Sequence, residues 1–280
     1  MVADKRDLRN HPAKRPEQMN ESGLTRRRVL QSASWLVTAA AFPAATIGRA
    51  SLAYSQEPPK AHAGITDLTG ELARYMVAAR DRSLPMNVAL EGKHHILDTL
   101  GAMVSGVRLK AGEAATAYVR AQGGTPEASV VGTNIKTSAV NAALANGMFA
   151  HGDETDDGDL ITKAHPGCSS VPAALAMAER EGRSGTEFLR AVVLGYDVCC
   201  RFLIALGLDH VRETHRSPQG LGATMGAVAA AASLARLNET GMRYALSYAA
   251  QQVSGLYSWT SDTDHVEKAF DFGGMGARNA

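Results

Sequence analysis

Between residues 66 and 82, Leu68, Leu72, Met76 and Ala79 recur at three- and four-residue intervals. That spacing lays them along one face of a helix. Pro85 sits near the start of a second helix, whose apolar positions are Val88, Ile96, Leu97, Leu100, Met103 and Val104. A third runs over about 111 to 122 and stops at Gly123-Gly124, a pair that does not sustain a helix. Ser138 is placed to cap a helix ending near His151, and Pro166-Gly167 precedes another, "CSSVPAALAMAEREG". Ser184-Gly-Thr-Glu187 is a capping box, in which serine and glutamate each satisfy an orphan amide of the first turn. Its helix continues to about Leu206. "GATMGAVAAAASLARL" and "ETGMRYALSYAAQQVSG" supply two more, Ala-rich and periodic. "ASVVG" is the best strand candidate, and it is short. With no alternation of strands and helices, and no internal repeat, the pattern predicts an all-α core.

Composition agrees with that pattern. The chain has 280 residues, 45% apolar but only 5% aromatic. Scarce aromatic and β-branched runs, with abundant Ala and Gly, favour closely packed helices over a sheet. The formal charge is +1. Up to Ala53, nine Lys/Arg face four Asp/Glu, a net of +5, which leaves −4 on the rest. A mildly acidic body gives no electrostatic footprint for nucleic acid. Three cysteines (Cys168, Cys199, Cys200) form no disulfide framework and no CxxC or CxxH zinc spacing,. Cys199 and Cys200 read as small hydrophobes inside a helix.

The basic front of the chain reads as an address. Thr25-Arg26-Arg27-Arg28-Val29-Leu30 resembles a twin-arginine export motif, with Val29 where Phe is commonest and Gln31 where Lys is. An apolar stretch from Ala33 to Ile47 follows, and Ser51-Leu52-Ala53 fits a small-x-small cleavage site,. The stretch is short and holds Thr38, Pro43 and Thr46, so it makes a poor membrane span. Residues 1–53 are therefore expected to be a signal peptide and 54–64 a disordered mature N-terminus. The destination is periplasmic or secreted, with no stable membrane anchor after cleavage.

Chemistry concentrates in three places. In "AHGDETDDGDLITKAHPGCSS", Asp153, Glu154, Asp156, Asp157 and Asp159 lie between His151 and His165, with apolar segments on both sides. Carboxylates crowded at helix ends repel one another, so some hold protons near neutral pH and can pass them on. A nearby His is the usual partner in such work. The same stretch also reads as a solvated acidic loop. A third reading is calcium: Asp153-x-Thr155-x-Asp157-Gly158 copies the start of an EF-hand loop. Its twelfth position, however, is Ala164, where a bidentate Glu closes the shell,. The second place is "RETHRSPQGLG", with His215 ahead of a helix start whose Gly220 and Gly222 would offer free amides to a carboxylate. The third is "EKAFDFGGMGARN", where Lys268 precedes glycines that match neither a P-loop nor a Rossmann fingerprint,.

The order of these segments resembles the MmgE/PrpD family, which includes 2-methylcitrate dehydratases, cis-aconitate decarboxylases and related epimerases. The resemblance rests on "NGMFAHGDETDD", "HPG", "VPAALAMAEREGRSGTEFLRAVVLGYDVCCR", "GAVAAAASLARL", "AQQVSGL" and "KAFDFGGMGARN", across most of residues 65 to 280. It implies a large helical domain, usually joined later in the chain by a smaller α/β lid domain, with the active site between them. It also implies a homodimer, and chemistry on a small polycarboxylate without metal or organic cofactor. Protons move next to carboxylates, and water or carbon dioxide is eliminated. By the same resemblance Glu154, His165, His215 and Asp153 are the expected catalytic residues, and Lys268, Asp157, Asp156 and His151 the expected substrate-binding ones. Glu154 stands where Asp is commoner, Gly158 where a hydroxyl residue is frequent, and Gln219 where a second His sometimes occurs.

The expected unit is thus residues 65–280, a helical domain of MmgE/PrpD type that ends at Ala280 without the α/β lid. Two rivals stand beside the lyase or isomerase reading. One is an inactive, truncated helical remnant or dimerisation module, and the other is a calcium-binding secreted helical protein.

Overall fold

A computed structural model describes residues 67–280. The export motif, the cleavage site and the mature N-terminus lie outside the described residues. The helices are α1 (Leu68–Asp81), α2 (Met86–Gly106), α3 (Lys110–Gln122), α4 (Ala139–Ala150), α5 (Gly167–Glu181), α6 (Gly185–Leu206), α7 (Leu208–Glu213), α8 (Pro218–Leu234) and α9 (Glu239–Gln252). A 3₁₀ turn (Tyr257–Ser261), the short α10 (Val266–Ala269), a π turn (Phe270–Gly274) and α11 (Met275–Asn279) complete the order. The fold is all-α, as the periodicity predicts.

Local chemistry accounts for the helix starts. Asp67, Ser138, Ser184, Ser217 and Asn238 each accept an amide of the following first turn through a side-chain oxygen. Such a cap is worth about 1 kcal/mol. The Ser184/Glu187 capping box is formed, and Glu187 also meets Arg236 at 2.5 Å. The strand signal shrinks to β1 (Ala128–Ser129), paired antiparallel with β2 (Lys136–Thr137) in the register Ala128↔Thr137 and Ser129↔Lys136. The hairpin is tied to α4 by buried Asn146, whose amide accepts from the Val131 N–H at 2.9 Å and donates to the Ser129 carbonyl at 3.0 Å.

The core is built around α4, α5 and α8. All 17 residues of α8 are buried, which small side chains make possible by letting backbones approach. A Cβ on Gly226 would sit 2.6 Å from the Gly195 carbonyl oxygen, and one on Gly147 would sit 2.6 Å from that of Gly273. Both distances are inside van der Waals contact. The second approach matters for function, because it presses the π turn onto α4 one helical turn before His151. Around this centre pack Phe149, Met103, Val119, Val171 and Val192, all essentially solvent-free. Cys199 is buried and Cys200 half-buried within α6, as expected of small hydrophobes. Among the described residues no helix is long and apolar enough to cross a membrane.

Two expectations about α8 change. The helix begins at Pro218, ahead of the glycines, because Ser217 caps it and proline suits the first helical position,. The Gly220 amide is consequently taken by the Ser217 hydroxyl at 3.2 Å, and residues 217–222 are buried. This helix start does not offer a free amide there to a substrate carboxylate. The short α7, α10 and π turn carry too few residues to produce a readable period.

Candidate active site

The acidic segment runs from the end of α4 to the start of α5. It is solvated only in part: Glu154, Leu160 and Ile161 are exposed, but Asp156 is buried. His151, at the C-cap of α4, is fully buried, and its Nδ1 lies 2.9 and 3.1 Å from the two carboxylate oxygens of Asp156, which is also buried. His165 approaches the same carboxylate, Nδ1 to Oδ2 at 3.4 Å, an ion-pair contact without hydrogen-bond alignment. The two imidazoles meet edge to face at 4.9 Å. One buried carboxylate is therefore shared by two histidines.

The electrostatics follow from that sharing. Burial alone would raise the Asp156 carboxyl, but His151 and His165 outweigh it and hold it at about 2. His151 is deeper, so desolvation prevails over Asp156 and lowers its pKa. His165 is more open; burial pulls its pKa down, yet Asp156 and then Asp157 prevail and raise it. The pair is thus split, with a neutral imidazole inside and one that favours the charged form nearer the surface. Environments that push two neighbouring groups apart mark an acid/base site.

Above this pair stands a second layer. Glu154, half-exposed and held at φ +57°, pairs with the Lys268 ammonium, and His265 Nε2 lies 3.5 Å from its Oε1. Lys268 reaches across Trp259 and Phe272, 5.1 and 5.3 Å from the ring centroids. Desolvation lowers its pKa. Phe272 stacks on His151 at 4.4 Å. The Cys168 thiol sits 3.1 Å from the His165 carbonyl and 3.3 Å from that of Phe272, joining the start of α5 to the π turn.

Six expected site residues thus lie in or beside one constellation: His151, Glu154, Asp156, His165 and Lys268 directly, and Asp157 behind it. Asp157 accepts from the Tyr196 hydroxyl at 2.6 Å and the Gly167 amide at 3.2 Å, and lies 2.6 Å from His95 Nδ1. Burial nevertheless pushes its carboxyl up. Asp153 turns elsewhere, accepting from Ser105 Oγ at 2.5 Å and Thr155 Oγ1 at 2.7 Å. His215 stands apart and exposed at φ +57°. Its carbonyl accepts from the Tyr257 amide at 3.0 Å, and no described hydrogen bond or ion pair joins its side chain to the acidic segment.

The EF-hand reading fails on this geometry, because Asp153 and Asp157 serve unrelated partners. Among the described residues, the convergent His/carboxylate groups are His151–Asp156–His165 and His151–Glu154–His265. Neither contains Asp153 or Asp157. Sequence reasoning missed His265, Trp259, Phe272, His95 and Tyr196. His265 carried no readable signal, because it is the left-handed residue that precedes the short α10 and shares no helical face with Lys268.

The MmgE/PrpD N-terminal domain model matches residues 70–280. The chain belongs to the MmgE/PrpD family. It is 27% identical to the cis-aconitate decarboxylase-like protein oryM of Aspergillus oryzae over 198 residues, 68% of this chain and 41% of that protein. It is 26% identical to the cis-aconitate decarboxylase of Aspergillus terreus over 197 residues, 68% of this chain and 40% of that enzyme. The chain therefore spans about two fifths of the length of these curated relatives. In this MmgE/PrpD chain, three of the motifs that carry the resemblance, "NGMFAHGDETDD", "HPG" and "KAFDFGGMGARN", supply His151, Glu154, Asp156, His165, Lys268 and Phe272 to the constellation.

Proposed function

We propose that this chain is the proton-handling helical part of a cofactor-independent lyase or isomerase of dehydratase, decarboxylase or epimerase type, acting on a small polycarboxylate. The observation that carries the reading is the Lys268–Glu154 pair set beside a buried Asp156 shared by two histidines. Lys268, on an aromatic floor, is a carboxylate anchor whose charge is easily exchanged from Glu154 to a substrate anion. Glu154 then has a free carboxylate to take a proton from carbon. Such a base acts only within hydrogen-bond reach of that proton. His165 is the partly exposed acid, kept charged by Asp156, and donates to a leaving hydroxyl or to a carbanion. His151 holds Asp156 in place, while Asp157 fixes the Gly167 amide at the start of α5.

The names of the relatives make cis-aconitate and similar tricarboxylates the first substrates to try. The proposal includes export through the twin-arginine motif to the periplasm or beyond, pairing with a second copy of the chain, and no role for nucleic acid. Asp153, engaged by Ser105 and Thr155, and His215, exposed, are given no proton-transfer step in this reading. The test is a screen of di- and tricarboxylates by proton NMR, following loss of water or carbon dioxide and epimerisation. Turnover of a tricarboxylate that is lost in Lys268→Met and in His165→Asn supports the reading. Turnover indifferent to both substitutions would refute it.

A further inference from the structure

We propose that His151, Glu154 and His265 form a binding site for a divalent transition-metal ion of the zinc class. The ligand atoms of the three residues lie within 4.8 Å of one another, and His265 Nε2 is 3.5 Å from Glu154 Oε1. Ligands about 2.0–2.2 Å from a tetrahedral ion stand roughly 3.3–3.6 Å apart, the separation that His265 and Glu154 already have.

Unpartnered ring nitrogens are what make this a site and not merely a cluster. His151 turns Nδ1 to the Asp156 carboxylate, 2.9 and 3.1 Å from its two oxygens. Its other ring nitrogen is Nε2. That atom is buried on a fully buried residue and has no hydrogen-bond partner. The Nε2 of His265 is likewise buried without a hydrogen-bond partner. A ligating histidine whose other nitrogen donates to a carboxylate is the arrangement that orients imidazole toward a metal and raises its basicity. Asp156 provides that for His151. Two imidazoles with one carboxylate suit zinc, cobalt or nickel; calcium and magnesium take oxygen ligands.

Lys268 is the competitor. Its ammonium pairs with Glu154, so an ion must share that carboxylate or displace the lysine. The two cations oppose each other, and removing one should strengthen the other. An ion held there would occupy Glu154, so it would oppose the proton transfer described above and is not a cofactor for it; the proposal does not rest on the lyase reading, because it is read by binding and not by turnover.

The experiment is calorimetric titration of Zn²⁺ into chelator-stripped protein, repeated with Mg²⁺, with Co²⁺ absorption as a spectroscopic check on imidazole ligation. His265→Asn is the main variant, because asparagine accepts the left-handed backbone at φ +58°,. One tight zinc site per chain is expected, at least tenfold weaker in His265→Asn, tighter in Lys268→Met and unchanged in His165→Asn. Thermal melting of His265→Asn separates a lost ligand from a lost fold. Glu154→Gln is a second ligand variant and should weaken zinc in the same way. Zinc affinity equal in wild type, His265→Asn and Glu154→Gln would overturn the proposal. So would affinity lost in His165→Asn alone, which assigns the ion to Asp156 and His165, or magnesium bound as tightly as zinc.

Discussion

The ammonium of Lys268 lies on the carboxylate of Glu154, joining the short helix α10 to the acidic segment that follows α4. Few hydrogen bonds bring these segments together. Shape does, through the close approach of Gly147 to Gly273 and the stacking of Phe272 on His151. The pair carries the first prediction. Replacing Lys268 with Met keeps the apolar stem over Trp259 and deletes the charge. A charge-assisted hydrogen bond contributes about 1.5–3 kcal/mol, so affinity for a tricarboxylate should fall roughly 10- to 100-fold. KM against kcat for the full reaction, or direct calorimetry, checks it.

Asp156→Asn should lower the pKa of His165, because the carboxylate is what holds it up against burial. The acidic form then gives way at lower pH, and the corresponding limb of the pH–rate profile moves with it. Stability changes in two windows. The raised His165 contributes stability that is complete below its ordinary value near 6.5 and is lost as pH rises through its folded value. The lowered Asp156 contributes stability present above 3.8 and lost as pH falls toward about 2,. Both contributions should disappear in the variant, as followed by thermal melting across pH and NMR titration of the imidazoles.

Asp271 behaves in the opposite sense. It is 5% exposed, accepts from the Ser217 hydroxyl at 2.5 Å, and burial pushes its carboxyl up to about 7. A carboxylate with a raised value destabilises the fold as pH rises between its ordinary value and that one. The rise corresponds to about 4 kcal/mol at full ionisation. Asp271→Asn retains an acceptor for Ser217 and should raise Tm at pH 8 while changing it little at pH 4.

Gly147→Ala places a methyl against the Gly273 carbonyl. Overpacking of this kind costs about 1–3 kcal/mol, and the strain falls on the π turn. Lower Tm should be accompanied by weakened tricarboxylate binding, although residue 147 touches neither Lys268 nor Glu154. Binding unchanged at the lower Tm would show that the π turn holds its place without this contact.

Most of the helical frame was legible because its signals are local. Periodicity marks α1, α2, α8 and α9, and capping residues mark the starts of α4 and α6. The start of α8 lies ahead of its glycine-rich run because Ser217 caps it and Pro218 suits the first helical position,. The acidic segment announced its chemistry by composition, but not which carboxylates face each other. Asp153 and Asp157 share the spacing of calcium ligands, yet a left-handed residue at Glu154 separates them and each finds its own hydroxyl partner. His265, Trp259 and Phe272 join the site only through tertiary packing of short elements. No local pattern places them over His151. His215 was singled out by a polar, glycine-rich context, which is equally the context of an exposed turn.

The central claim is that the acidic segment moves protons at carbon. Its most direct test is incorporation of solvent deuterium into a tricarboxylate incubated with the protein in D₂O, followed by NMR for wild type and Glu154→Gln. Deuterium should enter next to a carboxylate with wild type, and at least a hundredfold more slowly with the variant. Equal rates in the two, or no exchange with any tricarboxylate that binds, would contradict it.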